Sequence, residues 1–148
     1  MQRFLKVDKC CLSDMFEYFS DTCDEQGGII GTSKNLYCIS HFFPDHNSSS
    51  SSSTYSPNSK HINAQIKIWS NNGICFLGFI HSHIGGCNIL SKEDKQYIFR
   101  LLVSFPHLQF MWFPIFSKEN GIQQLTFYKC YLNKGTLITQ KYIRNDTK

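Results

Sequence analysis

The stretch Ile74-Cys75-Phe76-Leu77-Gly78-Phe79-Ile80 is a continuous apolar run, and His81-Ser82-His83 follows it directly. Asn71-Asn72-Gly73 in front is a turn signal, so the run predicts a strand buried on both faces. Ile84 to Leu90 is rich in glycine and predicts a loop. Ser91, with Asp94 three positions on, has the S-x-x-D spacing of a helix start, where side chains cap exposed backbone groups. Tyr97, Ile98, Leu101 and Leu102 carry that helix to Phe105 at steps of one, three and four. A buried strand handing over to a helix through a short loop decides the class: a sheet with helices packed on it.

The flanks fill in the rest. Ile62, Ile66 and Trp69 mark a helix before the strand. Leu12, Met15, Phe16 and Phe19 mark a first helix, with Ser13 or Asp14 near its start and its end around Cys23-Asp24-Glu25. Gly27 to Gly31 predicts a strand whose glycines admit a close neighbour. Leu36 to Phe43 is its expected hairpin partner across the turn Ser33-Lys34-Asn35. Three strands close the chain, about His107–Phe116, Ile122–Leu132 and Gly135–Ile143, with turns at Glu119-Asn120-Gly121 and Asn133-Lys134-Gly135. This order predicts an α/β (α+β) domain in which helices flank a mixed sheet. Six serines, Ser48 to Ser53, lie in a polar stretch that cannot bury apolar surface. Residues 47–59 are therefore expected to be a mobile insertion within one domain spanning 1–148.

Composition narrows the function classes. The chain has 148 residues, 41% hydrophobic and 18% charged, which fits one folded domain and excludes collagen, a coiled coil and a disordered tail. The net charge is +4 and the pI about 8.7, without a clustered basic face. Nucleic-acid-binding domains generally cluster their charge and exceed a pI of about 9, so no nucleic-acid partner is expected. Seven cysteines include no C-x-x-C pair, and Lys6, Asp8 and Lys9 stand where a signal peptide needs apolar residues. A reducing cytoplasm is the expected compartment. The longest uncharged run, Leu101 to Ser117, contains Pro106 and Pro114, and no membrane partner is expected.

The chemistry concentrates in three residues. At a strand end, positions i and i+2 point to one face, so His81 and His83 project together and Ser82 turns away. Asp94 lies in the first turn of the next helix, which the loop can fold back over the strand end. Two imidazoles and a carboxylate around one point suit Zn²⁺ with an open fourth position. An HxH alone arises readily by chance; its pairing with a glycine loop and a Ser-x-x-Asp helix start is far more specific.

His81-Ser82-His83, ten intervening residues, then Asp94 with Ser91 three before it, resembles the signature of the JAMM/MPN+ metalloprotease family, the JAB domains. Glu25, just before a glycine-rich strand, stands where that family carries a glutamate. The resemblance extends over about Ser13 to Tyr142. It implies a curved mixed sheet of cytidine-deaminase-like architecture and one zinc per chain on His81, His83 and Asp94. Glu25 would be the general base and Ser91 the oxyanion donor. The reaction implied is hydrolysis of a peptide or isopeptide bond at the C-terminus of a ubiquitin-like protein. The family usually has proline after the second histidine, where this chain has Ile84, and the Ser117–Gly121 turn is short.

Two other functions fit parts of the pattern. Many MPN domains lack the metal set and act as interaction modules. RadC-like JAB domains, linked to DNA, carry a related motif but usually with Asn between the histidines and Pro after them. His41, His46 and His61 are read as surface residues, Cys38, Cys75 and Cys130 as core, and Cys87 as a small loop residue. Ser82 lacks the carboxylate a triad needs, and neither H-E-x-x-H nor the zinc-deaminase pattern is present.

Overall fold

The computed structural model describes residues 4–20, 24–46, 49–50, 55–142 and 144. In chain order the elements are β1 (Lys6–Val7), α1 (Lys9–Ser20), β2 (Gly27–Thr32), β3 (Cys38–Ile39), β4 (His41–Pro44), β5 (Ser49–Ser50), β6 (Tyr55–Ser56), α2 (Ser59–Asn71), β7 (Cys75–Ser82), α3 (Lys92–Ser104), β8 (Met111–Trp112), β9 (Ile115–Glu119), β10 (Ile122–Asn133) and β11 (Thr136–Tyr142). The main sheet runs β11-β10-β8-β7-β2-β4, with β9 continuing the β8 lane between β10 and β7. β7 is parallel to β8 and β9, and the other pairings are antiparallel, so the sheet is mixed and the fold α+β. The parallel step within this main sheet is the one bridged by α3, as a parallel pair requires a crossover.

Each face of the sheet has its own core. Leu5, Met15, Phe19, Ile80, Trp112 and Phe127 close the α1 face. Ile62, Phe79, Ile98, Leu102, Met111 and Ile115 close the face under α2 and α3. α1 contributes Cys11, Met15 and Phe19, spaced by four so that they share one stripe. Ile80 is fully buried, and truncating such a side chain to alanine costs about 2–5 kcal/mol.

Gly78 decides which face receives the histidines. It has φ +151°, and a Cβ there would overlap the Trp112 carbonyl oxygen. Opposite it the β2–β7 register slips between Ile30 and Gly31, which leaves Leu77 as an extra residue. Phe76 and Phe79 therefore both pack toward α2 and α3, and Leu77 and Ile80 toward α1. After the bulge, alternation puts His81 on the α2/α3 face with Phe79.

Several expectations need correction. α1 begins at Lys9, and β1, which the sequence does not announce, pairs in parallel with β3. The expected strand from Leu36 to Phe43 is two pieces: β3 leaves with β1, and β4 pairs β2. The strand expected over His107–Phe116 breaks at Phe113-Pro114, because proline has no N–H for the ladder. Cys75 is exposed at the start of β7 rather than core, whereas Cys38 and Cys130 are buried. In the serine-rich segment β5 pairs β6, and α2 begins at Ser59 with Asn58 capping the His61 N–H. Within the expected insertion, Tyr55–Ser56 thus form β6 and Ser59 opens α2; residues 47, 48 and 51–54 lie outside the described residues. Among the described residues no helix is long and apolar enough to cross a membrane.

Candidate metal centre

β7 ends on His81 and Ser82, and His83 begins the loop. His81 and His83 turn their Nε2 atoms to within 2.7 Å of each other. Ser82 points the other way. Its Oγ accepts from the Gln26 N–H at 2.9 Å, and its own N–H donates to the Gln26 carbonyl at 2.8 Å. The serine between the histidines thus fastens the end of β7 to the residue beside Glu25. Its role was not visible in the motif, because the partner lies 56 positions away.

The helix start supplies the third donor. Ser91 and Asp94 form a capping box: Ser91 Oγ accepts from the Asp94 N–H at 3.0 Å, and Asp94 Oδ2 accepts from the Ser91 N–H at 2.9 Å. The cap fixes the carboxylate so that Oδ1 lies 3.2 Å from His81 Nε2 and Oδ2 3.1 Å from His83 Nε2. Four ligands at about 2.0–2.1 Å on a tetrahedron stand roughly 3.3 Å apart, so three donors at 2.7–3.2 Å are near the spacing zinc asks for. His83 Nδ1 donates to the Cys87 carbonyl at 3.1 Å, which aims Nε2 at the centre, as an outer partner does for a metal ligand. Among the described residues this is the group of histidine, cysteine and acidic side chains that could hold an ion. The donor set fits a divalent metal.

Charge at the centre follows from burial and pairing. Burial holds His81 below its ordinary pKa, and Asp94 offsets this only in part. Burial also opposes charge on His83, but the Asp94 carboxylate prevails and pushes His83 up to about 9. Burial alone would raise Asp94; hydrogen bonds from both histidines hold it well below the usual carboxylate range. Near neutral pH the metal-free centre therefore holds an anionic carboxylate against an imidazolium, and a metal would replace that proton.

One cleft joins the remaining residues. Glu25, Tyr55, Ser91, Cys87 and Phe113 line it with the three donors. Burial raises Glu25 above its ordinary pKa and the Asp94 charge adds to this, while His83 and the Ile84 backbone N–H partly offset it. Tyr55 enters from β6, where sequence reasoning expected only a mobile insertion. The other histidines stay out: His41 packs on Trp69, His46 on Tyr18 and His61 on Phe43.

No protein-family model matches the chain, and no curated protein matches it. Among solved structures it is similar to the solution structure of protein DSY2949 from Desulfitobacterium hafniense, with a TM-score of 0.71 at 18% identity over 97% of this chain and 94% of that one. At that identity the likeness speaks for the fold alone, an α+β domain shared over nearly the whole length.

Proposed function

We propose that the chain is a zinc-dependent isopeptidase or peptidase of the JAMM/MPN+ type, with a JAB/MPN-like fold, acting at the C-terminus of a ubiquitin-like protein. The observation that carries the reading is the cleft itself. It brings a three-donor metal set, a carboxylate and a hydroxyl together from β7, α3 and the β2 entrance, although Glu25 and Asp94 are far apart in sequence. Hydrolysis of an amide requires an activated nucleophile, a base and a donor to the developing oxyanion, and each has a candidate here.

A zinc ion on His81 Nε2, His83 Nε2 and Asp94 would supply Lewis acidity and bring the pKa of a water to about 7. Glu25 takes the proton of the attacking water on its carboxylate and returns it to the leaving nitrogen. Burial raises its pKa, the direction that favours handing the proton on as an acid. Ser91 Oγ already accepts from the Asp94 N–H, which leaves its O–H to donate to the substrate carbonyl oxygen. In known oxyanion holes one such donor is worth about 3–4 kcal/mol. Phe79, Phe113 and Tyr55 wall the cleft beside the three donors.

The test joins metal content to cleavage. Untagged protein should carry one zinc per chain and release the reporter from a ubiquitin-like protein bearing a C-terminal fluorogenic amide, with activity lost to a chelator and restored by zinc. A folded chain that neither contains nor takes up zinc would overturn the reading. A zinc-loaded chain inert on every ubiquitin-like amide would leave an interaction module in its place.

A further inference from the structure

Tyr55 lines the metal cleft without a part in the chemistry proposed above. Its ring lies nearly parallel to the His81 imidazole, with centroids 6.4 Å and planes 20° apart. Gly27 is the cross-strand partner of His81 on β2, and a Cβ on Gly27 would overlap the Tyr55 ring. The tyrosine therefore occupies the place of the side chain that Gly27 lacks. Directly paired positions on neighbouring strands are the ones whose side chains pack together.

A closed circuit holds it there. Tyr55 Oη donates to Asp45 Oδ2 at 2.9 Å, and Asp45 is fully buried. The same oxygen accepts from the Asn58 N–H at 2.9 Å, and His61 Nδ1 lies 3.4 Å from Oδ1. The Asp45 N–H donates back to the Gly27 carbonyl at 2.9 Å. A carboxylate buried at the end of β4 thus ties the base of the serine-rich segment to the strand beside the metal ligands.

His81 has need of such a neighbour. A metal-bound histidine is ordinarily aimed by a hydrogen bond from its other ring nitrogen, as His83 is by Cys87. His81 Nδ1 is buried with no hydrogen-bond partner among the described residues. The ring is instead flanked by aromatic rings: Tyr55 stacked at 6.4 Å and Phe113 edge-on at 4.9 Å. We infer that Tyr55, anchored by Asp45, is a positioning residue that aims His81 Nε2 by packing where a hydrogen bond is missing. The inference rests on the zinc reading of the centre.

Cobalt(II) in place of zinc reports ligand geometry through its visible absorption, and a chelator competition gives the affinity. Full-length wild type, Tyr55→Phe, Tyr55→Leu and Tyr55→Ala are compared after circular dichroism shows each is folded. Tyr55→Ala should shift the cobalt bands and weaken metal binding by about 10- to 100-fold, the usual cost of losing a ligand's outer support. Tyr55→Phe, which keeps the ring and loses only the anchor, should recover the wild-type spectrum and all but a few-fold of the affinity. Leucine keeps bulk without a flat face and should fall between, and it replaces alanine in the comparison if that variant does not fold. Wild-type spectrum and affinity in the ring-less variants would overturn the inference, as would equal losses in Phe and Ala. A wild-type chain that takes up neither cobalt nor zinc would overturn the zinc reading itself, a result distinct from ring-less variants that bind like wild type.

Discussion

Two basic side chains pack on opposite faces of the same sheet, and they are treated differently. On the α1 face, Lys129 Nζ donates to Tyr37 Oη at 2.8 Å. It also lies 4.6–5.9 Å from the ring centroids of Phe110, Tyr37, Tyr131 and Tyr142. The protein completes that cation with a hydroxyl and four ring faces. On the other face, His81 Nδ1 has no hydrogen-bond partner among the described residues, and Nε2 is turned on a second imidazole at 2.7 Å and the Asp94 carboxylate at 3.2 Å. His81 Nε2, His83 Nε2 and the Asp94 carboxylate face one point, where together they could hold an ion. A polar group whose partners the chain supplies is structural; donors that the chain turns on one another are the ones that could take a ligand.

The comparison is broken most forcefully at Asp94. Asp94→Asn keeps the size and the helix cap's shape but removes the anionic donor facing both histidines. Metal affinity should fall by more than the roughly 10- to 100-fold that loss of an outer partner costs. Turnover should vanish at stoichiometric zinc. Glu25→Gln should separate the base from the ligands, because glutamine holds a water but takes no proton. Zinc content should stay at the wild-type level while single-turnover cleavage drops about 100- to 10,000-fold. Elemental analysis and cleavage of both variants side by side decide the assignment. If Glu25→Gln loses zinc as Asp94→Asn does, Glu25 is a ligand; if it cleaves at the wild-type rate, it is not the base.

Lys129 gives the opposite pattern. Lys129→Met fills similar volume and lets sulfur contact the rings, but loses the cation and its hydrogen bond. Cation–π contacts at partly exposed sites and one net hydrogen bond together suggest a loss of about 1–2 kcal/mol in urea unfolding. Zinc content and turnover should not change. A Lys129→Met chain that folds normally but loses metal would show that the two faces are coupled, and the contrast between them would fail.

The sequence announces these two regions unequally. The β7-loop-α3 passage is legible because every signal in it is local: an apolar run, histidines two apart, and a serine and aspartate at capping distance. The residues that complete the cleft are not. Ser82 is tied to Gln26 and Tyr55 to Asp45 by contacts that no spacing rule records. The bulge at Gly78 also defeats counting by two. Extrapolated from Phe76, the alternation would put Gly78, not Phe79, on the α2/α3 face, and the His81 side of the sheet would be misassigned. β1 and β3 are two-residue strands, too short to show a period, so their pairing was invisible. In each case a long-range contact overrides or supplements the local pattern.

The smallest expected effect lies at Ile84, where the proposed JAMM/MPN+ family usually has proline. Proline has no N–H, and the Ile84 backbone N–H is among the groups that favour the charged form of Glu25. The backbone is otherwise ready for the exchange. His83 is already extended, with φ −110° and ψ 141°, as the residue before a proline must be, and Ile84 opens a short 3-10 turn. The isoleucine side chain is 46% exposed, so little packing is lost. Ile84→Pro should therefore change stability by no more than about 1 kcal/mol in either direction, through loop rigidity. The sign of the electrostatic change is fixed. That N–H favours the charged carboxylate, so removing it raises the Glu25 pKa further above its ordinary value. A group raised on folding stabilises the fold below its unfolded pKa, and this stability is lost as pH rises through the folded pKa. The variant should lose slightly more stability than wild type between acid and neutral pH. Because the base must be ionised, the acid limb of turnover should move to higher pH, with the plateau rate nearly kept. Parallel pH–rate and pH–stability profiles of the two proteins measure both shifts. Superimposable acid limbs would mean that the Ile84 N–H does not act on Glu25, and that the exchange for proline at this position is silent.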